Sequence, residues 1–171
     1  MKQLLMTLLC STLSFAAIDN INSFEASFTQ SVTDDKNSSL NYNGHVQAKK
    51  PQSAVWNYLE PIKKDVYIWK HSVTIVEPEI EQVIIRRIES NFDFFMLIKN
   101  AVKISTNTYK ANYKESIFII TTKNNLIESI SYKDEFDNDI KIVFKNQKQN
   151  IDIDENVFVA NYPLQFDIIR D

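Results

Sequence analysis

The chain has 171 residues, enough for one domain with a substantial core, and its 44% hydrophobic and 24% charged content is that of a folded globular protein rather than a disordered one. The formal charge is -3 and no block of Lys or Arg occurs, which argues against nucleic-acid binding by phosphate neutralisation. One cysteine, Cys10, and one glycine, Gly44, leave no material for a disulfide framework or a glycine-rich phosphate loop.

The N-terminus has the build of an export signal. Lys2 supplies the positive start, and Leu4 to Leu13 form an apolar run too short to span a bilayer. Ser14-Phe15-Ala16 places small residues at the two positions a signal peptidase reads. Cleavage is expected after Ala16, which makes residues 1–16 a signal peptide and 17–171 a single mature domain. Cys10 leaves with the signal, so the mature chain has no thiol for a disulfide, a thiolate metal site or a nucleophile. No later apolar run reaches transmembrane length, and a soluble exported protein is expected.

Within 17–23, Ile18 and Ile21 are three apart, and Asp19 and Asn20 favour a helix start, which permits a turn or two of helix. In 24–33, Phe24, Ala26 and Phe28 alternate with Glu25, Ser27 and Thr29, the pattern of a strand with one dry face. Asp34 to Ser38 is a turn by composition. The return strand, 40–49, puts Leu40, Tyr42, Gly44, Val46 and Ala48 on one face. A glycine in mid-strand marks a bulge, a bend or close packing by another group. A third strand, 54–59, keeps Ala54, Trp56 and Tyr58 in phase between Pro51 and Pro61. Segments 65–69 and 73–77 form a hairpin about Lys70-His71-Ser72, and 82–88 follows as another strand.

The period then changes. Phe92, Phe95, Met96 and Ile98 crowd at helical spacing, so 91–100 is predicted to be a short, apolar helix, capped by Ser90 or Asn91 with Asp93 in its first turn. Strand patterns resume at 107–113, 116–122, 126–133 and 139–146. A polar loop at 147–156, the apolar Val157-Phe158-Val159 and a final strand at 165–169 complete the chain. The sum is a mainly β protein of about nine to eleven antiparallel strands in hairpin order, curling toward a barrel around one helix.

Little in the chain suggests chemistry. The two histidines, His45 and His71, lie on different elements, and no His-x-x-x-His or Gly-x-Ser-x-Gly motif occurs. The acids Asp34/Asp35, Asp134/Glu135 and Asp152/Asp154/Glu155 sit in turns, where they solubilise rather than form an acid pair for hydrolysis. No catalytic residue, metal site or cofactor is expected. What remains is a heavy aromatic load, including Phe24, Phe28, Tyr42, Trp56, Trp69, Phe92, Phe94 and Phe95, with Met96 beside it. Two readings stand. The rings fill a barrel core, or they line a cavity under a helix whose Met and Phe adapt to an apolar ligand. Composition does not choose between them.

The ordered set Ser23-Phe24-Glu25-Ala26-Ser27-Phe28-Thr29-Gln30, Gly44, Lys50-Pro51, Trp56 and Pro61 resembles the periplasmic outer-membrane lipoprotein carrier family, LolA. Glu77-Pro78 with Glu81-Gln82, Phe95-Met96-Leu97-Ile98, Phe158 and Tyr162-Pro163 extend the resemblance over nearly the whole mature chain. It implies an incomplete antiparallel barrel with a helical lid over an apolar cavity. It also implies a monomeric periplasmic chaperone, not an enzyme. Such a carrier takes acylated lipoproteins from an inner-membrane lipoprotein-releasing ABC transporter, shields their acyl chains and delivers them to the outer membrane, where an acceptor can stand. Mapped onto this chain, the acyl-chain cavity would use Phe24, Phe28, Leu40, Tyr42, Trp56, Phe92, Phe95, Met96 and Leu97. The family's arginine before the proline of the third segment holds the lid by hydrogen bonds; here Lys50 takes that place, a point charge instead of a planar fork. The first lid helix is nearly absent, and the family's Asp-Gly turn is replaced by Lys70-His71-Ser72. The alternatives are an outer-membrane lipoprotein receptor of the same fold or a periplasmic hydrolase or isomerase on a barrel scaffold.

Overall fold

The computed structural model describes residues 18–87 and 94–170; the expected signal peptide, the first residues of the expected helix and Phe92 lie outside the described residues. In chain order the strands are β1 (Ser23–Thr33), β2 (Ser39–Lys49), β3 (Ser53–Glu60), β4 (Lys64–Trp69), β5 (Ser72–Glu77) and β6 (Gln82–Arg87). After helix α1 (Phe94–Lys99) come β7 (Val102–Ser105), β8 (Thr108–Tyr113), β9 (Ser116–Lys123), β10 (Leu126–Lys133), β11 (Asp139–Gln149) and β12 (Asp167–Arg170). Short 3-10 turns occupy Ile18–Asn20, Pro78–Ile80 and Glu155–Phe158.

All twelve strands join one sheet in the order β12-β6-β5-β4-β3-β2-β1-β11-β10-β9-β8-β7. The sheet is open, with β12 and β7 at its edges. Hairpins build each wing from neighbours in sequence, and the two wings meet where β1 pairs with β11, placing Phe28 opposite Phe144. On β1 the alternation works as expected: Phe24, Ala26 and Phe28 are buried while Glu25 and Ser27 are half-buried on the other face. Buried residues from both wings form one cluster with Phe95, Leu97 and Ile98 of α1, so the sheet curves around its dry face and the helix covers it.

Gly44 sits at both features its position suggested. The β2–β3 register slips between Asn43 and Gly44, a bulge. A Cβ at Gly44 would also run into the Asn57 carbonyl oxygen and come within 2.6 Å of the Phe28 ring. The glycine is there for space, since its φ is not positive.

Three expectations need correction. Among the described residues the strand count is twelve, because β7 was not foreseen. All four of its residues are exposed, so it has no dry face to produce an alternating signal. The last strand is not in hairpin order: β12 runs parallel to β6, with Asp167 beside Gln82. It gets there because residues 150–166 cross the outer face of the sheet. Ile153 and Phe158 pack there on Val55 and Tyr67, and Lys49 Nζ donates to the Ile153 carbonyl at 2.8 Å. Val157-Phe158-Val159 is accordingly the end of a 3-10 turn, whose start is capped by the Asp154 carboxylate accepting from the Asn156 amide at 3.0 Å. Finally, β11 extends through Gln149, into the stretch expected as loop.

Replacing Gly44 with Ala should cost about 1–3 kcal/mol through overpacking against backbone. Thermal unfolding should register it as a drop of roughly 2–4 °C in Tm per kcal/mol; an unchanged Tm would show that β3 yields freely.

Candidate functional site

The curved sheet does not close on itself, and the space it leaves under α1 is a cavity of about 530 Å³. That is within the range of roughly 300–1,000 Å³ typical of ligand pockets. One wall carries Phe24, Val46, Ala48, Ala54, Trp56 and Ile68 from β1 to β4; the opposite wall carries Phe118, Ile130, Ile142 and Phe144 from β9 to β11. Phe94, Phe95 and Leu97 of α1 form the roof. Gln30, Tyr58, Tyr132, Lys114, Asp134 and Glu135 make one end polar, and Gln52 and Ser53 add polar groups at the start of β3.

The rings hold each other on edge. Phe24 meets Phe144 at 5.1 Å between centroids, nearly perpendicular, and Phe28 meets Trp56 and Tyr58 at 5.1 Å each in the same manner. Phe118 stacks on Tyr132 at 4.5 Å. The roof is tied to the floor by Phe24 with Phe94 at 5.7 Å. Side chains locked in this way present flat, rigid apolar surface and do not collapse into the gap.

The helix pattern explains which of its residues face inward. At a turn of about 100° per residue, Phe94, Phe95, Leu97 and Ile98 share one arc and Met96 lies opposite. Phe95, Leu97 and Ile98 are buried, whereas Met96 is 46% exposed. Of the residues the sequence assigned to the cavity, Phe24, Trp56, Phe95 and Leu97 line it. Phe28 is buried behind Trp56, and Tyr42 backs Tyr58 edge-on at 5.8 Å, so both support the lining from the next layer. Leu40 and Met96 do not line it. Leu40 keeps the alternation of β2, but it pairs with Val32 near the hairpin tip and is 47% exposed. Phe92 lies outside the described residues. Most of the second wall was missed, although 116–122, 126–133 and 139–146 carried the same two-residue period.

Lys50 stands beside the roof. Its ammonium lies 5.9 Å from the Phe95 ring centroid and donates to Asn22 Oδ1 at 3.1 Å. This is a cation over an aromatic face, plus one hydrogen bond to the segment before β1.

Of the two acids at the polar end, Asp134 and Glu135, the first is held by its own turn. The Asp134 carboxylate accepts from the Phe136 amide at 2.9 Å, the Asn138 amide at 3.0 Å and Asn138 Nδ2 at 2.9 Å. Burial pulls its pKa up, but these hydrogen bonds outweigh it and hold the carboxyl below its usual range. The group is spent on its turn. Tyr58 donates to Gln30 Oε1 at 2.9 Å, and burial, reinforced by Tyr132 and Tyr42, pushes its phenol up to about 12. Burial also raises Tyr132, with Asp134 adding to it. These hydroxyls stay neutral and serve as a wet rim to a dry chamber.

The family model described as "Outer membrane lipoprotein carrier protein LolA" matches residues 19–109. A protein of Campylobacter jejuni named outer-membrane lipoprotein carrier protein is 41% identical over 156 residues, 91% of each chain. Proteins of the same name from Wolinella succinogenes and Helicobacter hepaticus are 28% and 33% identical, over 92% and 98% of this chain and 92% and 93% of their own. Among solved structures, a LolA superfamily protein from Nitrosomonas europaea aligns with a TM-score of 0.49 at 8% identity, over 85% of this chain and 94% of that one.

The shifted phenol gives a pH test. Because the pKa of Tyr58 is raised above its usual 10.0, its stabilising effect is intact below pH 10 and is lost as pH rises through about 12. Tyrosinate absorbance should show a late step near pH 12 that Tyr58→Phe removes; loss of absorbance near pH 10 in the variant, with the late step kept, would contradict the burial.

Proposed function

The chain belongs to the outer membrane lipoprotein carrier family, LolA, and from that premise we propose that it is a periplasmic carrier that holds the acyl chains of lipoproteins in this cavity and delivers them to the outer membrane. Residues 1–16 would be its export signal and 17–171 its carrier domain. The observation that carries the reading is the cavity itself, apolar on both walls and roofed by α1. An acyl chain in water costs about 0.8 kcal/mol per exposed methylene, so a carrier needs contiguous apolar surface and little else. The chemistry is sequestration, not bond making. Of the two acids at the polar end, Asp134 is committed to its own turn, which weighs against a paired-acid hydrolase.

The roof α1 lies over the chamber that the acyl chains would enter, so loading would have it move away from the walls. Beside the packing of Phe94, Leu97 and Ile98, the polar contact that resists this is Lys50 over Phe95, which we assign as the latch. An exposed cation–aromatic pair of this kind contributes about 0.5–1 kcal/mol, enough to bias the lid without locking it. The donor of cargo would be an inner-membrane lipoprotein-releasing ABC transporter, and the recipient the outer membrane with or without an acceptor protein. The carrier would act as a monomer.

Two experiments address this. Purified protein added to inner-membrane vesicles loaded with lipoprotein should bring that lipoprotein into the soluble fraction, and Phe95→Glu should abolish the release while far-ultraviolet circular dichroism stays the same. Cargo that remains with the vesicles, or normal release by the variant, would remove the carrier role or the roof's part in it. For the latch, Lys50→Ala should lower amide hydrogen-exchange protection of residues 94–99 by about two- to fivefold; equal protection in both proteins would free Lys50 of that task.

A further inference from the structure

Charge is segregated along the strands of β2 to β6. At the end beside α1, one row crosses five strands: Lys49 pairs with Ser53, Ser53 with Trp69, Trp69 with Ser72 and Ser72 with Arg87. Lys50 and Lys70 project one residue beyond it, and Arg86 stands next to Arg87. Segments 47–53, 67–74, 83–87 and 94–100 contain no Asp or Glu, although Asp152 and Glu155 pair with Lys49 at 3.5 and 3.9 Å and the sequence between 87 and 94 carries Glu89 and Asp93, so the positive charge of the row is carried by the cations away from Lys49. At the opposite end of the same strands, segments 33–39, 59–65 and 77–82 hold seven acids against three lysines. The net charge of -3 conceals this polarity.

The basic end also exposes apolar area. Trp69 is 38% exposed with the Lys70 ammonium 5.9 Å from its ring, and Met96 is 46% exposed on the outward face of α1, close to Lys99. An exposed indole among lysines and arginines, with an exposed thioether on the helix at the same end of the sheet, is the composition that seats a protein at a charged lipid interface. A soluble acidic partner would use the charges but has no need of the protruding indole and thioether.

We propose that this rim, built around Lys70, Arg87, Trp69 and Met96, is a docking face for an anionic phospholipid surface, and that the acidic end keeps the molecule oriented with α1 toward the lipid. Docking brings the roof of the cavity to the bilayer from which an acyl chain would be taken or to which it would be given. The proposal goes beyond the carrier reading, since the empty protein should dock without cargo, and the two therefore fail separately.

The test is cosedimentation of the purified mature protein with vesicles of phosphatidylcholine alone and of phosphatidylcholine mixed with phosphatidylglycerol. Binding is expected only to the mixed vesicles and should weaken as salt rises. Each cation removed should lower partitioning by about fivefold, so Lys70→Asn with Arg87→Gln should lower it roughly twenty-five-fold. Asn suits the left-handed φ of 54° at position 70, and both changes are at exposed sites, so the fold is retained. Equal binding to neutral vesicles, full binding by the double variant, or no binding to either vesicle overturns the proposal; the last result would leave the rim to an acidic protein surface.

Discussion

The pairing of β1 with β11 is the contact on which the rest of the molecule depends. Apart from the parallel edge strand β12, each wing of the sheet is assembled from hairpins, which close short loops at small entropic cost. Only the β1–β11 ladder joins residues more than a hundred positions apart, setting Phe24 against Gln149 and Thr33 against Asp139. Without it the wings would be two separate amphipathic sheets. With it, Phe24 and Phe144 touch, Trp56 comes within 6.4 Å of Phe144, and the two dry faces curve toward each other. The cavity is a consequence of that closure, and Gly44 makes room for it by letting the Phe28 ring lie flat against β2.

The chamber stays open because its walls are stiff: edge-on rings hold their neighbours in place. The result is an interior that forgoes some dispersion contact, which native cores usually avoid. A binding protein gains from that arrangement, because a ligand supplies the missing contacts. The outer face is treated in the opposite way. There residues 150–166 lie across the sheet, pinned by Ile153, Phe158 and the bond from Lys49, and lead β12 to an edge.

Glycine scarcity shaped both the turns and their legibility. Among the described residues, nine other than glycine adopt positive φ, including Asn37, Lys70, Glu81, Lys114, Asn124 and Asp137. The turns at Asp34 and Asp134 are alike: each aspartate accepts from the amides two and four residues on, and Asn37 or Asp137 takes the left-handed position. Such turns are readable from Asp and Asn, which is why most strand boundaries fell within two residues of their expected places. The parallel β12 was unreadable for another reason. A four-residue strand carries no mark of its partner, and its place is decided by the path of the chain before it.

Much of this protein was decided by sequence alone: strands from two-residue alternation, the apolar helix from crowding at 3.6, the bulge at Gly44, and the first wall of the cavity through Phe24 and Trp56. These are local properties, and a period or a turn residue records them directly. Tertiary structure alone decided that the same alternation in β9 to β11 forms the facing wall, that Met96 and Leu40 point away, and that Lys50 sits over Phe95. It also decided that the rings bound a cavity instead of filling a core. Each of those outcomes depends on which distant strands meet and how tightly the sheet bends, and no local pattern of apolar residues encodes the distance between two walls.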